Sequence, residues 1–110
     1  MRLFIFIFLL CFPQLSVAEL FEVKGDTLFY SMEYKYGKQP IKLGHDDRLL
    51  KVLEKNKNIK LLKLESSGGN TEVAKRMANI IIDAQLDTHV DELCSSSCVR
   101  LFLAGNTRTA

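Results

Sequence analysis

An apolar run over residues 59–64 ends abruptly in Glu65-Ser66-Ser67-Gly68-Gly69-Asn70, and a helical pattern begins directly after it. This break constrains the fold most, because a short apolar strand, a glycine turn and a helix make the first half of a crossover unit. The second half follows. Thr88-His89-Val90 reads as a brief strand, Cys94-Ser-Ser-Ser-Cys98 as a turn of small polar residues, and 99–104 as a short apolar helix stopped by Gly105-Asn106. Between the two turns, Asn70-Thr71-Glu72 is an N-cap signal, and Val73, Met77, Ile80, Ile81 and Ala84 form one apolar helical stripe. Upstream, His45-Asp46-Asp47 offers an N-cap with acidic charge in the first turn, Leu49, Leu50 and Leu53 recur at helical spacing, and Asn56 and Asn58 close the helix among lysines. His45 is expected in that exposed cap. The order from residue 46 is therefore helix, strand, helix, strand, helix. A right-handed crossover sets the two strands parallel, with their C-terminal ends at one sheet edge, where open α/β sheets keep their chemistry.

The preceding residues read as antiparallel strands over 21–23 and 27–36 around Lys24-Gly25-Asp26. Leu28, Tyr30, Met32, Tyr34 and Tyr36 share one face, and Phe29, Ser31, Glu33 and Lys35 the other, which is the period of a half-buried strand. Residues 37–44, with Pro40, read as a loop. At the start of the chain, Met1-Arg2, the apolar run 3–12 and the small residues Ser16 and Ala18 have the form of a secretory signal peptide cleaved after Ala18. That run is too short to span a bilayer. Residues 19–110 are then one small periplasmic or secreted domain. The full chain carries a net charge of +2, which gives no basic patch for nucleic acid or anionic lipid. Lys55, Lys57, Lys60 and Lys63 mark a solvated edge.

Three readings of Cys94 and Cys98 stand side by side. An oxidising compartment suits a disulfide. His45 and His89 could complete a zinc set, although the spacing fits no usual paired knuckle. Two buried thiols would serve as small apolar groups. No metal or cofactor is expected. The glycine turn can expose amide N–H groups suited to an anion or a developing oxyanion, and a serine facing it could act as a nucleophile toward a carbonyl.

Leu64-Glu-Ser-Ser-Gly-Gly, the amphipathic helix after it, Thr88-His-Val and Cys94-Ser-Ser-Ser-Cys98 leading to Phe102-Leu-Ala-Gly resemble the Clp protease/crotonase superfamily. The likeness is strongest to its exported Clp-protease-like members, which carry a Ser-Pro-Gly-Gly turn and a Cys-Ala-Ser-Ala-Cys motif, and it covers about two thirds of the chain. It implies a partial Clp protease/crotonase-like ββα spiral fold and a serine peptidase or hydrolase. Ser96 would be the nucleophile, Gly68, Gly69 and the Ser97 amide the oxyanion hole, and Cys94 and Cys98 the bracketing cysteine pair. The implied partners are a peptide or other acyl substrate and further copies of the chain in a homo-oligomer. Ser67 stands where the family has proline, and Ser95 and Ser97 where it has alanines. In the peptidases the base and acid follow the nucleophile by a few tens of residues, whereas 110 − 96 = 14 residues follow Ser96 and none is histidine. His89 precedes the serine and does not match the family's base. The expectation is a C-terminally truncated hydrolase, inactive or incomplete as it stands. The alternative is a non-catalytic periplasmic binding or assembly module that keeps the anion-receiving turns.

Overall fold

Alternation along the central strands sorts their side chains onto two faces, and that sorting sets the architecture. The structure is a computed structural model that describes residues 20–30, 33–34, 37–38 and 40–110. The signal-peptide reading of 1–18 lies outside the described residues, as do Ser31, Met32, Lys35 and Tyr36 of the expected second strand. The elements in order are β1 (Phe21–Lys24), β2 (Thr27–Tyr30), β3 (Glu33–Tyr34), β4 (Gly37–Lys38), α1 (His45–Lys55), β5 (Leu61–Ser66), α2 (Thr71–Asp83), β6 (Asp87–Cys94), α3 (Cys98–Leu103) and β7 (Arg108–Thr109).

These make a mixed α/β fold with a five-stranded sheet in the order β1-β2-β5-β6-β7. β1 and β2 pair antiparallel, while β2 with β5, β5 with β6 and β6 with β7 are parallel. β3 and β4 form a separate two-stranded antiparallel pair. One face of the large sheet presents Leu28, Tyr30, Leu62 and Leu64, which share a core with Leu49 of α1, Val73, Met77 and Ile81 of α2, and Leu101 of α3. All of these are 1% exposed or less, and each such burial contributes about 1.5–3 kcal/mol. The opposite face carries the row Glu22, Phe29, Lys63, His89 and Thr109 in register across all five strands. Lys24 and Lys63 hold their ammonium groups 5.3 and 5.2 Å from the Phe29 ring centre.

The helix–strand order and the parallel pairing of β5 with β6 agree with the sequence pattern. Several boundaries differ. Of the strand expected over 27–36, β2 ends at Tyr30 and Glu33–Tyr34 belong to β3 of the separate pair, and the expected loop 37–44 contains β4. α1 is not capped by His45-Asp46-Asp47. Its N-cap is Gly44 at φ 93°, with no side-chain cap, and His45 and Asp46 are buried in the first turn. Asp46 instead accepts from Arg76 Nε at 2.6 Å, which ties α1 to α2. The Arg76 hydrogen bond is the main cause that holds the Asp46 carboxyl below its ordinary range. The expected cap of α2 is present, since Asn70 Oδ1 accepts from Val73 N–H at 2.9 Å. On the apolar stripe, Ala84 is exposed beyond the helix end. β6 is eight residues long rather than a brief strand. Among the described residues no helix is long and apolar enough to cross a membrane.

Candidate functional site

β5 delivers the glycine turn to the C-terminal edge of the sheet. Ser66 is fully buried there. Its Oγ accepts from Gly68 N–H at 3.1 Å and donates to Gly68 O at 3.4 Å, curling the chain back on itself. Gly68 and Gly69 have φ of 103° and 138°, values that favour residues without a Cβ. The Ile41 backbone lies along the turn. Ile41 N–H donates to Gly68 O at 2.6 Å, and Asn70 N–H donates to Ile41 O at 3.0 Å. A Cβ on Gly69 would stand 2.6 Å from Ile41 N, so glycine is required for this approach.

β6 reaches the same edge by a detour. Leu64 is opposite Val90, but Ser66 is opposite Cys94, so β6 spends four residues where β5 spends two. Across that bulge the Glu65 carboxylate takes the place of a neighbouring strand. It accepts from the N–H groups of Asp91, Glu92 and Leu93 at 2.9, 3.0 and 2.8 Å. Ser95 N–H then donates to Ser66 O at 3.1 Å, and Ser95 Oγ to Ser67 O at 3.2 Å. Of the three readings of the cysteines, the structure has the disulfide: Cys94 and Cys98 are bridged, with Cα atoms 5.2 Å apart. Inside the bridged loop Ser96 adopts φ 56° and is exposed. A left-handed serine costs about 1–2 kcal/mol relative to ordinary backbone. The start of α3 holds it in place, with Cys98 N–H on Ser95 O and Val99 N–H on Ser96 O. The far end of α3 is tied to β6 where Thr88 Oγ1 donates to Phe102 O at 2.8 Å.

The two turns touch. A Cβ on Gly68 would meet Ser95 O at 2.9 Å as well as the Ser96 side chain. Ser97 Oγ donates to Gly69 O at 2.9 Å and accepts from Gly69 N–H at 3.1 Å. Gly68, Gly69, Ser96 and Ser97 are thus brought together. The glycine amides do not simply face outward, however. Gly68 N–H is directed inward to Ser66 Oγ, and Gly69 N–H is covered by the Ser97 hydroxyl. Among the described residues, Ser96 Oγ and the N–H groups of Ser96 and Ser97 have no hydrogen-bond partner. An open groove of about 490 Å³ lies beside them, lined by Thr71, Ser96, Ser97, Val99, Arg100 and Leu103. A second groove of about 360 Å³, lined by Leu50, Leu53, Ile59, Ile80 and Leu86 among others, lies at the opposite ends of the strands.

The two histidines are elsewhere. His89 Nδ1 is 2.6 Å from Thr109 Oγ1 and its Nε2 is 2.7 Å from Asp91 Oδ1. Lys63 completes the group at 3.1 Å from Asp91 Oδ2. Lys63 first and His89 second hold the Asp91 carboxyl below its ordinary range. His89 is opposite Lys63 and Cys94 opposite Ser66, three positions further along β5, so at about 3.3 Å per strand residue His89 is roughly 10 Å from the start of the cysteine turn. His45, expected at the surface, is 4% exposed. Its Nδ1 lies 2.7 Å from Tyr30 Oη and accepts from Lys42 N–H at 3.2 Å. Burial drives the Tyr30 phenol above its ordinary range. The zinc set imagined from His45, His89 and the cysteines is therefore not assembled, and no group of three or more metal-ligating side chains occurs among the described residues. Glu65 was missed in the sequence, where it reads as one more polar residue before a turn. No family model, curated protein or solved structure matches the chain.

Proposed function

We propose that the paired turns form an acyl-binding site of the serine-hydrolase type in an exported, Clp protease/crotonase-like chain, acting on a peptide or another acyl compound. Ser96 Oγ meets the carbonyl carbon. The Ser97 N–H receives the carbonyl oxygen, joined by the Gly69 N–H once the Ser97 hydroxyl turns away from it. Gly68 contributes shape, because its missing side chain lets Ser96 stand where it does.

The observation that carries this reading is the left-handed Ser96 on a sharp strand-to-helix turn, exposed beside a groove and free of hydrogen bonds at Oγ among the described residues. Strain of this kind persists only where surrounding structure imposes it, and it concentrates at sites of chemistry. Attack forms the Oγ–carbon bond and breaks the bond to the leaving group. The hydroxyl proton must pass to a base, and among the described residues no histidine contacts Ser96. In this reading the proton passes to water in the open groove, and without a positioned base the step is slow. The turns alone supply orientation and oxyanion stabilisation, a small part of such an enzyme's rate.

The same missing contact favours a second reading, a binding module that receives a carbonyl or carboxylate without forming a bond. Phenylboronic acid separates the two, since it forms a tetrahedral serine adduct that mimics the addition step. The hydrolase reading expects a tetrahedral boron signal and shifted Ser97 and Gly69 amides, both abolished in Ser96→Ala. Absence of the adduct, or an adduct unchanged in Ser96→Ala, overturns it. Acetate shifts at the same amides that survive Ser96→Ala support the module.

A further inference from the structure

The buried His45 belongs to a chain of contacts that ends at the serine turn. A backbone N–H can only donate, so the bond from Lys42 N–H to Nδ1 fixes the neutral ring with its hydrogen on Nε2. The Tyr30 hydroxyl then also donates to Nδ1. Lys42 O in turn accepts His45 N–H at 3.1 Å, so Lys42 and His45 are held to each other at both backbone and ring. Next to Lys42 is Ile41, 2% exposed, whose N–H and C=O clamp Gly68 and Asn70. Gly69, between those two, presents its N–H and C=O to Ser97 Oγ. One short path thus joins the imidazole to the candidate site.

We infer that His45 is an acid-sensitive latch on the glycine turn: a proton added at Nδ1 turns that nitrogen from acceptor to donor, expels Lys42 N–H, and releases the hold of Ile41 on Gly68 and Asn70. The Tyr30 hydroxyl can rotate and accept from the new N–H. Lys42 N–H has no such freedom, so the loop over 41–44 is the part that moves. Among the described residues, the charged or titratable groups facing His45 are Tyr30 from β2, Lys42 from the loop, and Arg48 and Asp46 from α1, with Asp46 bound to Arg76 of α2. Burial first, then Arg48 and Lys42, oppose the imidazolium, while Asp46 favours it, and the ring is pushed down to about 4. The latch therefore stays closed near neutrality and opens in acid. Its bearing on acyl binding rests on the reading proposed above, but the movement itself does not.

Amide hydrogen exchange in the ¹⁵N-labelled protein tests it, with the His45 ring titration followed in the same samples. Between pH 6.5 and 3.5 the protection factors of the Ile41 and Asn70 amides should fall at least tenfold more than those of Leu64 and Val90, whose protection follows only the global loss of stability, and the extra fall should share the midpoint of the His45 titration. His45→Gln, which can accept Lys42 N–H but takes up no proton, should show no such fall. Flat protection through the His45 titration overturns the latch, as does an equal fall in His45→Gln or an equal fall at Leu64 and Val90. If the variant fails to fold, coincidence or mismatch of the two wild-type midpoints decides alone. Failure of the boronate adduct at pH 7 would sink the hydrolase reading and leave these amide measurements unaffected.

Discussion

Gly68 stands against Ser96 so closely that a Cβ built on the glycine would lie 2.7 Å from the Ser96 Cβ. Alanine there meets two penalties, a φ of 103° that L residues avoid and an overlap with the Ser95–Ser96 backbone turn. Gly68→Ala should lose about 3 kcal/mol of stability, read from urea unfolding. A loss under about 0.5 kcal/mol, the range of ordinary surface changes, would mean that the turns are not in contact.

Glu65 should behave as a structural residue despite its partial exposure. Its carboxylate holds three consecutive N–H groups of β6, and bonds to a charged group are worth more than neutral ones. Glu65→Ala should lower stability by about 2 kcal/mol and speed exchange of the Asp91, Glu92 and Leu93 amides together. Glu65→Gln, which keeps one acceptor oxygen, should fall between. Slow exchange of the three amides in Glu65→Ala would show that another acceptor holds the bulge.

These two residues also show where the sequence could be read and where it could not. The glycine break, the Asn70 cap and the apolar stripe of α2 are local signals, and the parallel β5 and β6 follow from their order through general connection rules. Gly68 meets Ser96 for that reason. The length of β6 was hidden because Asp91 and Glu92 look like turn residues, and the group that straightens their backbone sits 26 residues earlier, where Glu65 bonds Asp91. His45 was misplaced by its neighbours. Beside Asp46 and Asp47 it looks like an exposed cap, yet Tyr30 on the far side of the β3–β4 segment takes it into the core. Periodicity reports which face of an element is apolar. It does not report polar pairs formed between elements.

The folded protein should weaken in mild acid. His45 is pushed down from an ordinary value of 6.5 to about 4, so between those values the unfolded chain binds a proton that the folded one refuses. The His45 contribution is therefore full above about pH 6.5 and is lost as the pH falls toward 4, by up to about 3 kcal/mol. Asp46, whose carboxyl is lowered by Arg76, adds its own loss only further down, within the carboxylate range. Urea midpoints at pH 7, 5.5 and 4 check the sign. Stability that rises on acidification through this window would contradict the buried, neutral imidazole.

The sandwiching of Gly69 between Ile41 and Ser97 also bears on when the site can exist during folding. Its two walls are 97 − 41 = 56 residues apart in the chain, and two parallel strands and the helix between them lie along the way. Local signals can start α2 and bend the glycine turn early, since neither needs distant partners. The turn can take its final shape only after β6 has docked beside β5 and the serine loop has closed over it, a step that requires ordering a long span of chain. The surface proposed to receive a carbonyl is thus absent from any form of the molecule in which β6 and the serine loop are not yet docked against β5.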